Sequence, residues 1–324
     1  VMPYYGIPTG QTDEDVAMAF NRYILTDLLR DQLGFEGVVC TDWGVITGRI
    51  WGVEPLTVEE RYLKSIEAGV DQYGGESEPE YIVDLVNQGV ISEARIDESV
   101  RRILKNKFDL GLFEEPFVDE TAVKEAVNLP QHVALGMTAQ RNAVVLLDNG
   151  SSALPLSTET RIFVDGLKPS VAAQYGTVVD TPEQADVVLL FLNTVFNGNQ
   201  PAGTDSTFDQ MMATRFPDTN LAFSDEILAK AASYSDVSQL VTLVDLNRPA
   251  VLTELKGMSG ALVGTFGVSD EAMLDVVFGR HNPVGKLPFE LPSSMAEVAA
   301  QLEDVPDDTA NPLFPYGWGL AYEE

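Results

Sequence analysis

Residues 23–44, Tyr23-Ile24-Leu25-Thr26-Asp27-Leu28-Leu29-Arg30-Asp31-Gln32-Leu33-Gly34-Phe35-Glu36-Gly37-Val38-Val39-Cys40-Thr41-Asp42-Trp43-Gly44, decide the fold. Apolar residues at helical spacing, Val16, Phe20, Ile24 and Leu28, predict a helix over Asp15 to Leu33, with Gly34 placed to stop it. A β-rich run, Gly37 to Asp42, follows at once. The alternation continues outward. Thr57-Val58-Glu59-Glu60 reads as a capping box opening a helix from about Val58 to Ala68. Gly69 to Tyr73 reads as a second strand, and two more helices follow at about Pro79–Asn87 and Ile96–Phe108, with Gly111 near the end of the second.

Strand and helix alternating at these spacings make a parallel α/β structure. Residues 113–129 are acidic and bounded by prolines, as suits a linker over 113–130. A second α/β segment, 131–324, opens with a helix from about Gln131 and the stretch Ala143 to Leu147. Its apolar runs predict strands near Arg161–Val164, Val187–Leu192, Leu240–Asp245 and Ala261–Phe266. Helices are expected at Asp225–Ser233, Pro249–Glu254 and Glu271–Val277, and residues 280–324, rich in proline and glycine, read as irregular with short strands.

The 324 residues carry 50 acidic and 20 basic side chains, a formal net charge of -30. Binding to nucleic acid or an anionic membrane needs clustered cations, so both are disfavoured as partners. No run of about 18 apolar residues predicts a membrane span. One cysteine, Cys40, rules out an intrachain disulfide, and two histidines, His132 and His281, lie outside any zinc-ligand spacing. No Gly-rich nucleotide fingerprint follows a strand, so no cofactor is implied.

Residues 23–44 resemble the nucleophile signature of the family 3 glycoside hydrolases: a helix, a Gly-Phe-acidic-Gly turn, a strand, then Ser/Thr-Asp-Trp. Five further blocks follow or precede it in family order. Val1-Met2-Pro3-Tyr4-Tyr5 resembles the preceding strand, Ala68-Gly69-Val70-Asp71 the last barrel strand, and Ile96 to Phe113 the closing helix. Arg141 to Asn149 with Leu154-Pro155-Leu156 resembles the opening of the second domain; Gly279 to Pro288 and Phe314 to Leu320 resemble its close. The fold this implies is the C-terminal part of a (β/α)8 TIM barrel over residues 1–112, followed by an α/β sandwich domain over 131–324. A barrel of this kind has eight strands, and residues 1–112 supply about the last three. The missing strands are expected from the same precursor or from another chain.

The resemblance implies retaining, exo-acting hydrolysis of a β-linked glycoside, of β-glucosidase or β-xylosidase type, with carbohydrate as the partner. Asp42 is the implied nucleophile, at the C-terminal end of its strand, where barrel enzymes keep their reacting groups. Tyr5 matches the family's tyrosine near the nucleophile, with Tyr4 as the other choice. Trp43 offers an apolar face to a sugar ring, and Arg49 and Trp51 are candidates to line the sugar pocket.

The acid/base departs from the family pattern. The usual glutamate follows a strand resembling Asp186 to Leu192, but here Asn193 or Asn197 aligns with it, and an amide cannot act as a general acid. Three readings stay open: Asp205 or Asp209 from the loop; Glu76, just past the strand ending near Tyr73; or no proton donor at all. The last gives the rival reading, a non-catalytic or weakly active carbohydrate-binding relative. A homo-oligomer stays open as a further partner.

Overall fold

The computed structural model describes residues 1–194, 220–302 and 305–322. The chain divides into two compact units, Val1–Val123 and Lys124–Glu324, each a mixed α/β assembly.

In the first unit, strand β1 (Cys40–Trp43) pairs in parallel with β2 (Gln72–Gly74), and helix α1 (Val58–Ala68) is the crossover between them. Parallel strands cannot be joined by a tight turn, so a helix of this length is what the pairing requires. The register slips between the Cys40–Gln72 and Trp43–Gly74 pairs. A bulge of this kind re-aims the side chains beside it, here those of Thr41 and Asp42. On the other edge of β1, the Cys40 N–H donates to the Val1 carbonyl at 3.0 Å. Helices α2 (Glu80–Asn87) and α3 (Glu93–Asp109) complete the unit. Val16, Phe20, Ile46, Tyr62, Ile66 and Leu85 form its main core, and Leu25, Val39, Ala68 and Val70 a second.

The capping box is present as expected: Thr57 Oγ1 accepts from the Glu60 N–H, and Glu60 Oε2 accepts from the Thr57 N–H at 2.7 Å. Gly69, at φ 118°, closes the same helix in a conformation that disfavours other residues. The helix expected over Asp15–Leu33 is broken in two. A 3-10 turn, Met18–Phe20, is followed by a wide π-type helix, Tyr23–Gln32. Asn21 is the cause. Its backbone is extended, its Oδ1 accepts from the Ile24 N–H, and its amide donates to Thr12 Oγ1. A side chain that competes for helix hydrogen bonds starts a new helix more readily than it continues an old one.

Asp71 ties the unit together. Its side chain is fully buried and accepts from the Val39 N–H, from Arg30 at 2.6 Å, from Arg102 at 2.8 Å and from Ser99 at 2.8 Å. Thus it joins the helix before β1, β1's approach, and α3.

The second unit holds a six-stranded sheet in the order β3-β8-β7-β6-β4-β5, where β3 is Val145–Asp148, β4 Arg161–Asp165, β5 Thr177–Val178, β6 Val187–Asn193, β7 Gln239–Asp245 and β8 Ala261–Thr265. All pairings are parallel except β3 with β8. Unbroken apolar runs such as Val187-Val188-Leu189-Leu190 are buried on both faces, as the central strands of a parallel sheet are. One core lies on each side of the sheet, around Leu189, Leu243 and Val263 and around Leu190, Val244 and Leu262. The expected helix at Pro249–Glu254 lies further on, at Thr253–Met258, because Val251 pairs by backbone with Leu221 instead. The C-terminal stretch adds a short antiparallel pair, β9 (Leu291–Pro292) with β10 (Pro312–Phe314). Among the described residues no helix is long and apolar enough to cross a membrane.

Candidate active site

The site is built at the C-terminal ends of β1 and β2. Asp42 is half-buried in β1, and its Oδ1 accepts from the Trp43 N–H at 2.7 Å, which fixes the plane of the carboxylate. Tyr5 reaches the same strand end: its Oη donates to the Trp43 carbonyl at 2.7 Å. Burial, then the hydrogen-bonding and negative charge of Asp42, push the Tyr5 phenol up to about 12, with Arg49 pulling the other way. Tyr5, Asp42 and Arg49 therefore share one electrostatic neighbourhood. Tyr4, by contrast, is exposed.

Arg49 is only 8% exposed although it is charged, and its guanidinium lies 5.8 Å from the centre of the Trp51 ring. Trp51 in turn meets Tyr5 edge to face, with ring centres 5.4 Å apart. Tyr5, Arg49 and Trp51 form a cation–π and aromatic stack beside the carboxylate. The loop that delivers Arg49 turns at Gly44 (φ 68°), whose carbonyl accepts from the N–H groups of Gly48 and Arg49.

Trp43 is 61% exposed, yet its indole is placed. It lies on the backbone of Gly74 and Gly75: a Cβ on Gly75 would sit 2.3 Å from the Trp43 Cδ1, and one on Gly74 2.9 Å from its Cε3. Gly75 also adopts φ 69°. Only glycine satisfies both demands at once. This bed is a part of the site that sequence reading missed; the adjacent glycines just past a strand were the available signal.

Glu76 stands next to that bed, but its carboxylate faces the loop after Asp42. Oε1 accepts from the Ile46 N–H at 2.8 Å and the Thr47 N–H at 3.2 Å, and Oε2 accepts from Thr47 Oγ1 at 3.0 Å. The other two proton-donor candidates, Asp205 and Asp209, lie outside the described residues, as does Asn197; Asn193 ends β6 and is exposed. The structure therefore brings together Tyr5, Asp42, Trp43, Arg49 and Trp51, with Glu76 one loop away.

A cavity of about 580 Å³ bounded by Arg22, Arg30, Arg95 and Arg102 does not include Asp42. Its arginines are committed to internal acceptors: Arg30 and Arg102 to Asp71, Arg95 to the carbonyls of Ile66 and Val70, and Arg22 to that of Glu67. Among the described residues no cluster of His, Cys, Asp and Glu is disposed to hold a metal ion.

Residues 5–106 match the Glycosyl hydrolase family 3 N terminal domain, and residues 172–322 match the Glycosyl hydrolase family 3 C-terminal domain. The chain belongs to glycosyl hydrolase family 3. It is 45% identical over 337 residues to the probable beta-glucosidase C of Aspergillus flavus, covering 99% of this chain and 52% of that protein. To the periplasmic beta-glucosidase/beta-xylosidase of Dickeya chrysanthemi it is 39% identical over 350 residues, again 99% and 52% of the two. The crystal structure of beta-glucosidase from Listeria innocua in complex with isofagomine superimposes with a TM-score of 0.75 at 23% identity, over 94% of this chain and 50% of that one. That is a likeness of fold. The chain spans about half the length of the curated relatives it matches.

The Tyr5 phenol donates to a neutral backbone carbonyl, and a hydrogen bond of that kind contributes about 0.5–1.5 kcal/mol. Tyr5→Phe is expected to destabilise the first unit by about 0.5–1.5 kcal/mol, read as a lower urea midpoint. With its phenol pushed up to about 12, Tyr5 stays neutral, so that difference should hold steady across neutral pH.

Proposed function

We propose that this chain carries the nucleophile of a retaining, exo-acting glycoside hydrolase that acts on β-linked glucosides or xylosides. The single observation that carries the reading is the placement of Asp42: a fixed carboxylate at a strand's C-terminal end, sharing an electrostatic neighbourhood with Tyr5 and Arg49. The names of the Aspergillus and Dickeya relatives support the substrate class.

In this reading the segment ending at Tyr5, β1 and β2 are an arc of a (β/α)8 barrel, and the six-stranded sheet of the second unit is the core of an α/β sandwich domain. The remaining strands come from the same precursor or from another chain, as the roughly twofold length of the relatives suggests.

Asp42 attacks the anomeric carbon as the aglycone oxygen leaves with a proton from the general acid. The covalent glycosyl-Asp42 ester is then opened by water, from which the same group, now a base, takes a proton. Retaining pairs place their two carboxyl groups about 5–5.5 Å apart. The neutral Tyr5 phenol is suited to hydrogen-bond the carboxylate or the ring oxygen as charge moves between them. Trp43, flat on its glycine bed, offers the apolar face of a sugar a stacking surface. Asp205 and Asp209 are the acid/base candidates in the stretch after β6.

The test is covalent trapping. The complete protein is incubated with 2-deoxy-2-fluoro glycosides bearing good leaving groups, in gluco and xylo forms, and the added mass is located in the peptide digest. A label on the peptide containing Asp42 is the expected result, and the faster-reacting sugar names the substrate. A folded sample that binds monosaccharide but takes up no label from either form would sink the proposal in favour of a binding protein.

A further inference from the structure

Glu76 was read from the sequence as a candidate proton donor, but its surroundings fit a different task. All three of its hydrogen bonds run to one short stretch, residues 46–47, four to five residues beyond Asp42. The Ile46 peptide is gripped from both sides: its N–H by Glu76 Oε1, and its carbonyl by Arg61 Nη1 at 3.0 Å. Arg61 also reaches the carbonyls of Val53 and Glu54, so the loop is tied to the start of α1 as well. Ile46 itself is fully buried in the unit's main core. Between this grip and β1 lies only the Gly44 turn, and two residues after it comes Arg49, the cation that acts on Tyr5 together with Asp42.

We infer that Glu76 is a positioning residue, a clamp that holds loop 44–49 so that Arg49 faces Asp42, and not the acid/base. The inference rests on the reading of Asp42 as nucleophile. Both Glu76 oxygens are engaged by donors of residues 46–47, whereas a general acid must reach the leaving-group oxygen. The three bonds need acceptors, and a charge is not required. Glutamine supplies nearly the same set: its carbonyl oxygen accepts from the Ile46 and Thr47 N–H groups, and its amide donates to Thr47 Oγ1. The clamp and the acid/base roles therefore part company at a single atom.

The experiment compares the complete wild-type protein with Glu76→Gln and Glu76→Ala on 2,4-dinitrophenyl and phenyl β-glycosides across pH, with and without azide. The clamp predicts that E76Q keeps kcat/KM within about threefold of wild type on both substrates, with the alkaline limb of its pH profile unshifted. E76A should fall by about 10- to 100-fold, by the same factor on both leaving groups, because a misplaced Arg49 weakens attack whatever departs. An acid/base would give the opposite pattern. E76Q would then collapse on the phenyl glycoside, survive on the dinitrophenyl one, lose its alkaline limb and yield a β-glycosyl azide; that pattern, or an E76A that is as active as wild type, overturns the inference. If E76A does not fold, E76Q decides alone. A wild type that neither turns over nor labels at Asp42 would fail the nucleophile reading itself, which the E76Q comparison in an active enzyme does not touch.

Discussion

Asp42→Gly is expected to lower kcat on an aryl β-glycoside by about 10³- to 10⁵-fold, equivalent to about 4–7 kcal/mol of barrier, while leaving the protein folded. The loss is large because no neighbour can replace the attacking oxygen: Tyr5, with its phenol at about 12, is neutral, and Arg49 is a cation. The fold should survive because the Asp42 side chain is half-buried and its hydrogen bond at Oδ1 is to the next residue's own N–H. A second readout separates a lost nucleophile from a distorted site. Azide added to Asp42→Gly fills the vacated space and attacks the anomeric carbon from the face the carboxylate used. One displacement inverts, so a β-glycoside should give the α-glycosyl azide, identified by its anomeric coupling constant. Restored turnover with that product supports the nucleophile, whereas an unchanged kcat in the variant would rule it out.

The second large effect is on stability. Asp71→Asn is expected to destabilise the first unit by about 2–4 kcal/mol, because it takes the counter-ion from the partly buried Arg30 and Arg102. Burial pushes the Asp71 carboxyl up, but the Val39 N–H, Arg102 and Ser99 more than offset it, and the net is a carboxyl below its ordinary value of 3.8. The sign of the pH dependence follows. With its folded value depressed, the wild type holds this contribution in full above the unfolded value and loses it as pH falls through the folded one. Urea denaturation should therefore show a gap between wild type and variant that is constant at neutral pH and closes below about pH 3.8. A gap that widens on acidification would contradict the assignment of the charge to Asp71.

Much of the site was legible in the sequence where its cause is local. The turn at Gly34, the capping box of Thr57 and Glu60, and the apolar runs of β6, β7 and β8 depend on near neighbours in the chain, and each is found in place. Asp42, Trp43 and Tyr5 came from an ordered motif and Arg49 from its place after it, and the structure sets them close together. What escaped depends on contacts made at a distance. Asn21 breaks a helix that its periodicity favours, through a side-chain bond to Thr12. Gly74 and Gly75 drew no reading from the sequence, and their lack of side chains is required by an indole some thirty residues earlier. Glu76 looked like a free acid at a strand end, and only the folded loop shows where its oxygens go. The pairing of β9 with β10 spans about twenty residues of weak pattern, too short on each side to leave a period.

The ties made by Asp71 also bear on when the site comes into being. They span 41 residues to Arg30, 32 to Val39 and 31 to Arg102. Each closes a long loop, and the entropy of closing it must be met before the contact returns anything. On the ribosome the strand that carries Asp42 emerges well before its parallel partner, and the partner's anchoring carboxylate emerges before the arginine of α3 that completes its neutralisation. The Asp42 strand is thus synthesised early and braced late. Until α3 has left the exit tunnel the nascent chain holds the groups around Asp42 without the ties that Asp71 makes, and commitment of this unit to its native state waits on its last long helix.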